Sequence, residues 1–314
     1  MQNKYSVNSE QVGERVDRFL VMQNSGVSRS AIQKAIKAGE VTVNGNTVSK
    51  HHFLKAGDSI EIAVSGAEAA AEKVAVDIPV LFEDEHIVVI EKPCGVLVHP
   101  ATNASEWTVV DFLRERVEDI DTVGDDPSRA GIVHRLDRDV SGVMVLTKTQ
   151  EAFQAMKEQF AARTVEKQYK AVVHGIPEPL FGNIRLPISR SKTYPGKMAA
   201  HPRTTGDKQR EEGLHTGKEA WTVYETSKQH NTRYADVDIE IKTGRTHQIR
   251  VHMLAIGHPI VGDTLYTTKK YGDREYDRLY LHSYRLGFEH PISAEKVEYI
   301  SELPEAFELF FQKG

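Results

Sequence analysis

The residues best suited to chemistry lie in a polar loop, residues 131–142, with the sequence GIVHRLDRDVSG. A loop that is bounded by glycines and followed directly by an apolar stretch is a typical location for a functional site. Asp137 stands between Arg135 and Arg138, so the nearby guanidinium groups are expected to keep its carboxylate ionised. An ionised carboxylate is available as a nucleophile rather than as an acid. The alternative is an ion-paired loop that only stabilises the fold.

A second segment, residues 243–252, reads TGRTHQIRVH and predicts a helix over 247–256. Ile249, Met253 and Ile256 form its buried stripe, and Arg250 lies at a different angle from which it can project toward a cleft. Glycine and proline follow the helix and are expected to end it.

The two histidines of this segment do not have the spacing of a metal site. His247 and His252 are five positions apart, which places them about 140° apart around a helix. The zinc-binding HExxH motif uses a spacing of four. We therefore expect both to be structural histidines with satisfied hydrogen bonds.

Two further segments are weaker candidates by themselves. Residues 91–100, EKPCGVLVHP, form a strand that enters a turn and carries Cys94, the single cysteine of the chain. No dedicated base stands near it, and a lone cysteine is usually a small buried hydrophobe. Residues 166–171, EKQYKA, begin an apolar strand in which Tyr169 alone would be interpreted as a core residue.

Together, these four segments resemble the RluA-type pseudouridine synthases. HRLDRDVSG is similar to the HRLD-x-x-[ST]-SG motif of that family, EKPCGVLVHP to its KP-x-G-x-x-VHP turn, EKQYKAVVHG to its K-x-Y-x-A strand, and GRTHQIRVHMLAIGHPIVGDTLY to its arginine motif. The ending LHSYRLGFEHP also fits, so that the resemblance covers residues 80–300. Val140 departs from the family, which usually has a hydroxyl residue there. The basic segment 185–218 matches no family motif residue by residue.

The resemblance implies that the chain isomerises uridine to pseudouridine in RNA without a cofactor or a metal. The target nucleotide must be flipped into a pocket, because its base is unreachable inside a helix. By motif position, Asp137 is the catalytic carboxylate, which either attacks C1′ or removes the 2′ proton. Arg250 is implied to pair with Asp137, and Tyr169 to stack on the uracil and assist at C5. Arg135 is implied to displace the base and occupy its place in the RNA.

The N-terminal segment resembles a different unit, the S4 RNA-binding domain. ERVDRFL, SRSAIQKAIKAGEVTVNG and KAGDSIEI predict two short helices, a hairpin at Asn44-Gly45 and a further strand. Ser28 can cap the second helix, and Gly39 can end it. Arg29, Lys34 and Lys37 are predicted to project from the polar face of that helix and to bind RNA phosphates. The alternative is an ordinary solvated face.

The chain organisation follows from these resemblances. We expect an S4 domain of the αL type over 13–64, a linker over 65–76 and a pseudouridine synthase domain over 77–314. The fold class is predicted to be α+β, with a mixed, mainly antiparallel sheet in the second domain. The remaining patterns predict strands over 80–82, 86–91, 142–148, 169–174, 220–226 and 234–242 and helices over 107–117 and 151–162.

Charge and composition limit the partners. The chain has 314 residues and a net charge of −5, but residues 185–218 carry 8 Lys/Arg against 3 Asp/Glu. Such a basic stretch on an acidic body is compatible with a polyanionic partner. Purely aliphatic runs reach only four residues and no secretory signal is seen, so we expect a cytoplasmic protein without a membrane contact. We expect a monomer.

The RNA substrate is expected to be large-subunit ribosomal RNA, with transfer RNA as the alternative. Two other classes stay open at this point. One is a catalytically silent RNA-binding protein of the S4 type, and the other is a hydrolase with Asp137 as its nucleophile.

Overall fold

The computed structural model describes residues 2–8, 11–23, 29–63, 74–100, 106–201, 217–271 and 275–312. The chain divides into two compact units, one of residues 1–74 together with 101–106 and the other of residues 75–100 and 107–314. Ser28 and most of the predicted linker lie outside the described residues. Within the described part of the chain, no helix is both long and apolar enough to cross a membrane.

The N-terminal unit packs two helices against a four-stranded antiparallel sheet with the order β1-β4-β2-β3. Its core is formed by apolar residues of both layers, among them Phe19, Leu20, Ile32, Ile60 and Ile62. Strand β1 is absent from the sequence prediction. The elements are β1 Gln2–Ser6, α1 Val16–Gln23, α2 Arg29–Ala38, β2 Val41–Val43, β3 Asn46–Thr47 and β4 Ser59–Ala63.

Two turns in this unit form where the sequence predicts them. Asn44 and Gly45 have φ angles of 53° and 79°, the left-handed conformation that a two-residue hairpin between β2 and β3 requires. Gly39 has a φ of 79°, and the N–H of Glu40 donates to the carbonyl of Ala35 at 2.9 Å. This is the expected glycine ending of α2.

The larger unit is built on a nine-stranded sheet with the order β5-β6-β7-β14-β8-β13-β12-β9, and β15 pairs with β14. Among the described strand pairs of this sheet, only β7 with β14 is parallel. Strands β10 and β11 form a separate antiparallel hairpin. The predicted α+β class with a mainly antiparallel sheet is confirmed. The elements are β5 Val80–Glu83, β6 Ile87–Lys92, α3 Val109–Arg116, β7 Ser141–Thr147, α4 Gln150–Ala162, β8 Glu166–His174, β9 Phe181–Ile184, β10 Ile188–Arg190, β11 Met198–Ala200, β12 Thr222–His230, β13 Tyr234–Ile241, α5 Gln248–Ala255, β14 Leu281–Glu289, β15 Lys296–Ile300 and α6 Glu305–Gln312.

The strands β6 and β7 are buried on both faces, which explains their unbroken apolar sequences. Alternate side chains such as Ile90 and Met144 join one core cluster that includes residues of α3 and α5. The intervening side chains, such as Val89 and Val145, join a second cluster with Met156 of α4. Because strand side chains alternate between faces, each run supplies both cores.

The parallel pairing of β7 with β14 depends on one glycine. Gly142 has a φ of 116°, and a Cβ atom there would lie 2.2 Å from the carbonyl oxygen of Ser283. Only glycine therefore allows β14 to approach β7 at this point. This approach places the end of the loop 131–141 beside β14.

We predict that Gly142→Ala destabilises the protein by about 2–5 kcal/mol, because it adds backbone strain to a direct clash with β14. Gly287→Ala, also on β14, is the matched control. Its Cβ would have Glu166 Cβ as nearest neighbour at 3.5 Å, an ordinary contact. Urea unfolding of both variants measures the difference, and equal stabilities would contradict the tight approach.

Candidate active site

Asp137, in the loop before β7, lines a small cleft. The cleft has a volume of about 100 Å³, and the side chain of Asp137 is 16% exposed. The residues around it come from the loop before β7, from β8, β13 and β14, and from the loop before α5; they include Arg135, Asp137, Tyr169, Arg245, His247 and Leu281. The structure thus brings together three of the four polar segments that the sequence singles out.

Arg250 lies behind this cleft and joins Asp137 to a second carboxylate. Its Nη1 donates to Asp137 Oδ2 at 3.3 Å, while Nε and Nη2 donate to the two oxygens of Asp263 at 2.7 and 2.8 Å. The residue is 3% exposed. Burial alone would lower the pKa of Arg250, but the hydrogen bonds and charge of Asp263 and the charge of Asp137 raise it above its usual value. The guanidinium therefore stays charged.

Asp263 is the residue of this cluster that sequence reasoning missed. Its side chain is fully buried, and one of its oxygens also accepts the N–H groups of Leu265 and Tyr266 at 2.9 and 2.8 Å. The backbone N–H groups thus fix the Asp263 carboxylate, and this carboxylate in turn fixes Arg250. The stretch GDTLY in the arginine motif was the available sequence signal.

Tyr169 lies in β8 between Ile239 of β13 and Ser283 of β14. It is 7% exposed and lines the cleft. Burial raises the pKa of its hydroxyl above the usual value, and the charge of Asp137 adds to this, although a hydrogen bond with the Ser283 side chain acts in the opposite direction. The phenol is therefore neutral at physiological pH.

The two histidines of the arginine motif have different environments. His252 is fully buried, and its ring nitrogens bond to the Thr222 hydroxyl and the Leu186 carbonyl, both at 2.9 Å. The structural role expected for His252 is confirmed. His247 also has a hydrogen-bond partner, the Tyr266 hydroxyl at 2.7 Å from Nδ1, but it lines the cleft, with Nε2 3.9 Å from Asp137 Oδ1. It precedes α5 in a left-handed conformation, so the helical angle between the two residues does not apply.

Gln248 holds the loop 243–247 in place beside the cleft. Its Oε1 accepts the Thr243 hydroxyl at 2.7 Å and the N–H of Arg245 at 3.1 Å. Its Nε2 donates to the Trp221 carbonyl and the Thr222 hydroxyl, both at 3.0 Å. A buried side chain that uses both ends of its amide fixes the loop to the start of β12.

Lys92, in the KP turn, is a buried residue that the sequence motifs alone did not indicate as part of the site. Its Nζ donates to the carbonyls of Pro93, Val96 and Arg138, each at 2.9 Å. Burial lowers the pKa of Lys92 to about 7. The contact with Arg138 ties the KP turn to the loop that carries Asp137.

The remaining candidate residues of this unit are Arg135, which lines the cleft, and Cys94 of the KP turn. Arg135 is exposed, and its Nη1 is 3.2 Å from Nε2 of His99, which belongs to the VHP end of the KP turn. The thiol of Cys94 donates to the Asp139 carbonyl at 3.1 Å.

The predicted basic face of the N-terminal unit lies on α2. Lys37 is exposed near the end of this helix. Arg29 and Lys34 lie on the helix as predicted, and their side chains are outside the described part of the structure.

Comparison with known proteins assigns the family. Residues 86–255 match the RNA pseudouridylate synthase model, and residues 14–60 match the S4 domain. The chain belongs to the RNA pseudouridylate synthase family. It is an RNA pseudouridine synthase of the RluA type with an N-terminal S4 domain, as the sequence motifs predict.

Relatives match this enzyme over nearly its whole length. It is 35% identical over 308 residues to the ribosomal large subunit pseudouridine synthase D of Pseudomonas aeruginosa, covering 94% of this chain and 90% of the relative. An uncharacterized RNA pseudouridine synthase of Aquifex aeolicus is 38% identical over 303 residues, covering 94% and 92%. Human RNA pseudouridylate synthase domain containing 1 shares the fold, with a TM-score of 0.58 at 24% identity over 73% of this chain and 84% of the human one.

We predict that Asp263→Asn destabilises this enzyme by about 3–5 kcal/mol, because it leaves the buried Arg250 with an uncompensated charge. Asp238→Asn is the matched control. It removes a carboxylate that is 45% exposed and pairs with Lys170 at 2.7 Å, so it should cost at most about 1 kcal/mol. Urea unfolding measures both, and a control that is as destabilised as Asp263→Asn would contradict the role given to the buried pair.

Proposed function

We propose that this enzyme isomerises specific uridines of large-subunit ribosomal RNA and that Asp137 starts the reaction. The observation that carries the proposal is the hydrogen bond from the buried, charged Arg250 to Asp137 in a cleft lined by Tyr169. The ribosomal target is supported by the named function of the relatives from Pseudomonas aeruginosa and Xylella fastidiosa, both large-subunit pseudouridine synthases D. Transfer RNA is the alternative target.

The reaction begins when the target uridine is flipped out of the RNA and enters the cleft. Asp137 then either attacks C1′ or removes the 2′ proton to give a glycal. Both routes break the N1–C1′ bond and leave the uracil ring with the electron pair of that bond. The ring turns and C5 joins C1′. On the first route this step displaces the Asp137 carboxylate from C1′, and on the second route the removed proton returns to C2′. The C5 proton is then lost and N1 takes up a proton, so that the mass of the RNA is unchanged. Arg250 orients the Asp137 carboxylate through a charge-assisted hydrogen bond.

We assign Tyr169 and Arg135 to contacts with the target base and with the place that it leaves in the RNA. Tyr169 offers a neutral ring at the wall of the cleft, which suits it to stack on the uracil and to assist at C5. Arg135 is exposed and also lines the cleft, so it can displace the target base and occupy its place in the RNA. The S4 domain adds phosphate contacts through Arg29, Lys34 and Lys37 on α2.

The other two classes are less well supported. A silent RNA-binding protein would have no need for Asp137, Tyr169 and Arg250 in one cluster. A hydrolase would need a base to activate water and would release a product, which changes the mass of the RNA. Isomerisation leaves that mass unchanged, so mass spectrometry of the reacted RNA separates the two reactions.

We predict that Asp137→Asn folds and binds RNA but forms no detectable pseudouridine, because it keeps the shape of the side chain and removes the carboxylate. Pseudouridine formation, RNA affinity and melting temperature are measured together on unmodified large-subunit ribosomal RNA. A well-folded Asp137→Asn protein that works near the wild-type rate would remove Asp137 from the chemistry.

Arg250→Met is the paired variant. It leaves the carboxylate of Asp137 but leaves buried Asp263 without its cation, which costs about 3–5 kcal/mol. We predict that this variant loses most of its activity and is less stable than Asp137→Asn, whose side chain is partly exposed. If Arg250→Met were more stable than Asp137→Asn, the result would contradict the role given to the buried ion pair of Arg250 and Asp263.

The S4 domain gives a separate prediction about binding. Replacing Arg29, Lys34 and Lys37 by glutamine should weaken RNA binding and make its salt dependence shallower. Each lost phosphate contact lowers the slope of log K against log salt by about 0.7–0.9. Titrations of RNA affinity at several salt concentrations measure this slope.

The control makes the same change of charge on the larger unit, at the exposed residues Lys157, Lys228 and Lys296. An unchanged slope in the α2 variant, or an equal change in both variants, would remove the phosphate-binding role from this helix face.

A further inference from the structure

His247 has a place in the cleft that the proposed function does not use. Its Nε2 lies 3.9 Å from Oδ1 of Asp137, whereas Arg250 contacts the other oxygen, Oδ2. A group that close to the nucleophilic carboxylate is also close to the sugar carbon and the base that react there.

The hydrogen bonds of Tyr266 decide which ring nitrogen of His247 carries the proton. Tyr266 is 3% exposed; its hydroxyl oxygen accepts the N–H of Met198 at 2.7 Å and lies 2.7 Å from His247 Nδ1. A tyrosine hydroxyl has one proton to donate. His247 Nδ1 is the acceptor within reach of that proton among the described contacts, and we therefore infer that Tyr266 donates to it. The proton of the imidazole is then on Nε2, which faces the cleft.

The charges around the ring keep it neutral. Burial lowers the pKa of His247, and Arg250 and Arg135 lower it further, whereas Asp137 and Asp263 raise it. The outcome is a pKa below the usual value for histidine. His247 therefore offers an N–H donor beside Asp137 without adding a positive charge that would compete with Arg250.

We propose that His247 is a further catalytic residue, which donates its Nε2–H hydrogen bond to a ring oxygen of the departing uracil. This inference rests on the proposed function. When the N1–C1′ bond breaks, its electron pair goes to N1 and spreads onto the ring carbonyl oxygens, by either route open to Asp137. A donor fixed in place stabilises that charge as it develops, and no proton needs to be transferred.

The same contacts give a role to the hairpin β10–β11, which lies in the basic segment 185–218. The N–H of Met198 in β11 fixes the hydroxyl of Tyr266, and Lys197 Nζ donates to the Leu265 carbonyl at 2.7 Å. Both contacts hold the hairpin on the loop that also carries Asp263. The hairpin thus helps to hold the Tyr266 hydroxyl in position beside His247.

Two substitutions at position 247 separate a chemical role from a structural one. His247 has a φ of 55°, a left-handed conformation that asparagine tolerates better than glutamine. The amide of glutamine reaches about as far as Nε2, whereas that of asparagine reaches only about as far as Nδ1. If His247 has only a structural role, His247→Asn should be the more active variant. If His247 donates a hydrogen bond through Nε2, His247→Gln should be the more active variant.

We expect single-turnover pseudouridine formation to fall about 100-fold in His247→Asn and clearly less in His247→Gln, with RNA affinity unchanged in both. Tyr266→Phe removes the hydroxyl that bonds to Nδ1 of His247. We expect its single-turnover rate constant to fall about 10-fold, with RNA affinity unchanged. Melting temperatures confirm that all three variants are folded. A His247→Asn protein at least as fast as His247→Gln would overturn the proposal.

Unmodified large-subunit ribosomal RNA is the probe in these assays. If the wild-type enzyme forms no pseudouridine in it, or if Asp137→Asn remains active, the proposed function itself fails and this inference fails with it. If the wild type is active, Asp137→Asn is inactive and His247→Asn keeps the wild-type rate, only the role of His247 is lost.

Discussion

The buried guanidinium of Arg250 is the constraint on which the site depends. A cation that is 3% exposed needs fixed anionic partners. Asp263 accepts two short hydrogen bonds from Arg250, and backbone N–H groups fix the Asp263 carboxylate. This leaves Nη1 as the donor that reaches Asp137. The carboxylate of Asp137, which we propose as the catalytic group, is thus held by the charge of Arg250 and is also exposed to the cleft.

The sheet brings the parts of this arrangement together from distant positions in the chain. Gly142 allows β7 and β14 to run side by side, and Ser283 of β14 then lies opposite Tyr169 of β8. Lys92 fixes the loop before β7 from the other side through the Arg138 carbonyl. The position of Asp137 relative to Tyr169 and Arg250 therefore follows from strand pairing and from two buried cations.

Part of the fold and of the site could be predicted from local sequence patterns and motifs. The hairpin at Asn44-Gly45, the glycine ending of α2 and the amphipathic helix α4 depend on neighbouring residues, and the motifs indicated Asp137, Tyr169 and Arg250. Strand β14 could not be recognised by alternation, because His282 and Ser283 are buried as completely as the apolar residues beside them. The place of His247 beside Asp137 could not be predicted from its own segment, because the two residues are far apart in sequence. Asp263 lies closer to Arg250 in the chain, but α5 ends at Ala255, so no helical spacing links the two residues.

The central claim, that this site converts uridines of large-subunit ribosomal RNA to pseudouridine through Asp137, is tested most directly by mapping pseudouridine in total cellular RNA. Cells without the protein are compared with cells that carry the wild-type chain or Asp137→Asn. The account predicts that specific large-subunit positions lose pseudouridine, regain it with the wild type and stay unmodified with Asp137→Asn. An unchanged map, or a loss confined to transfer RNA, would contradict it.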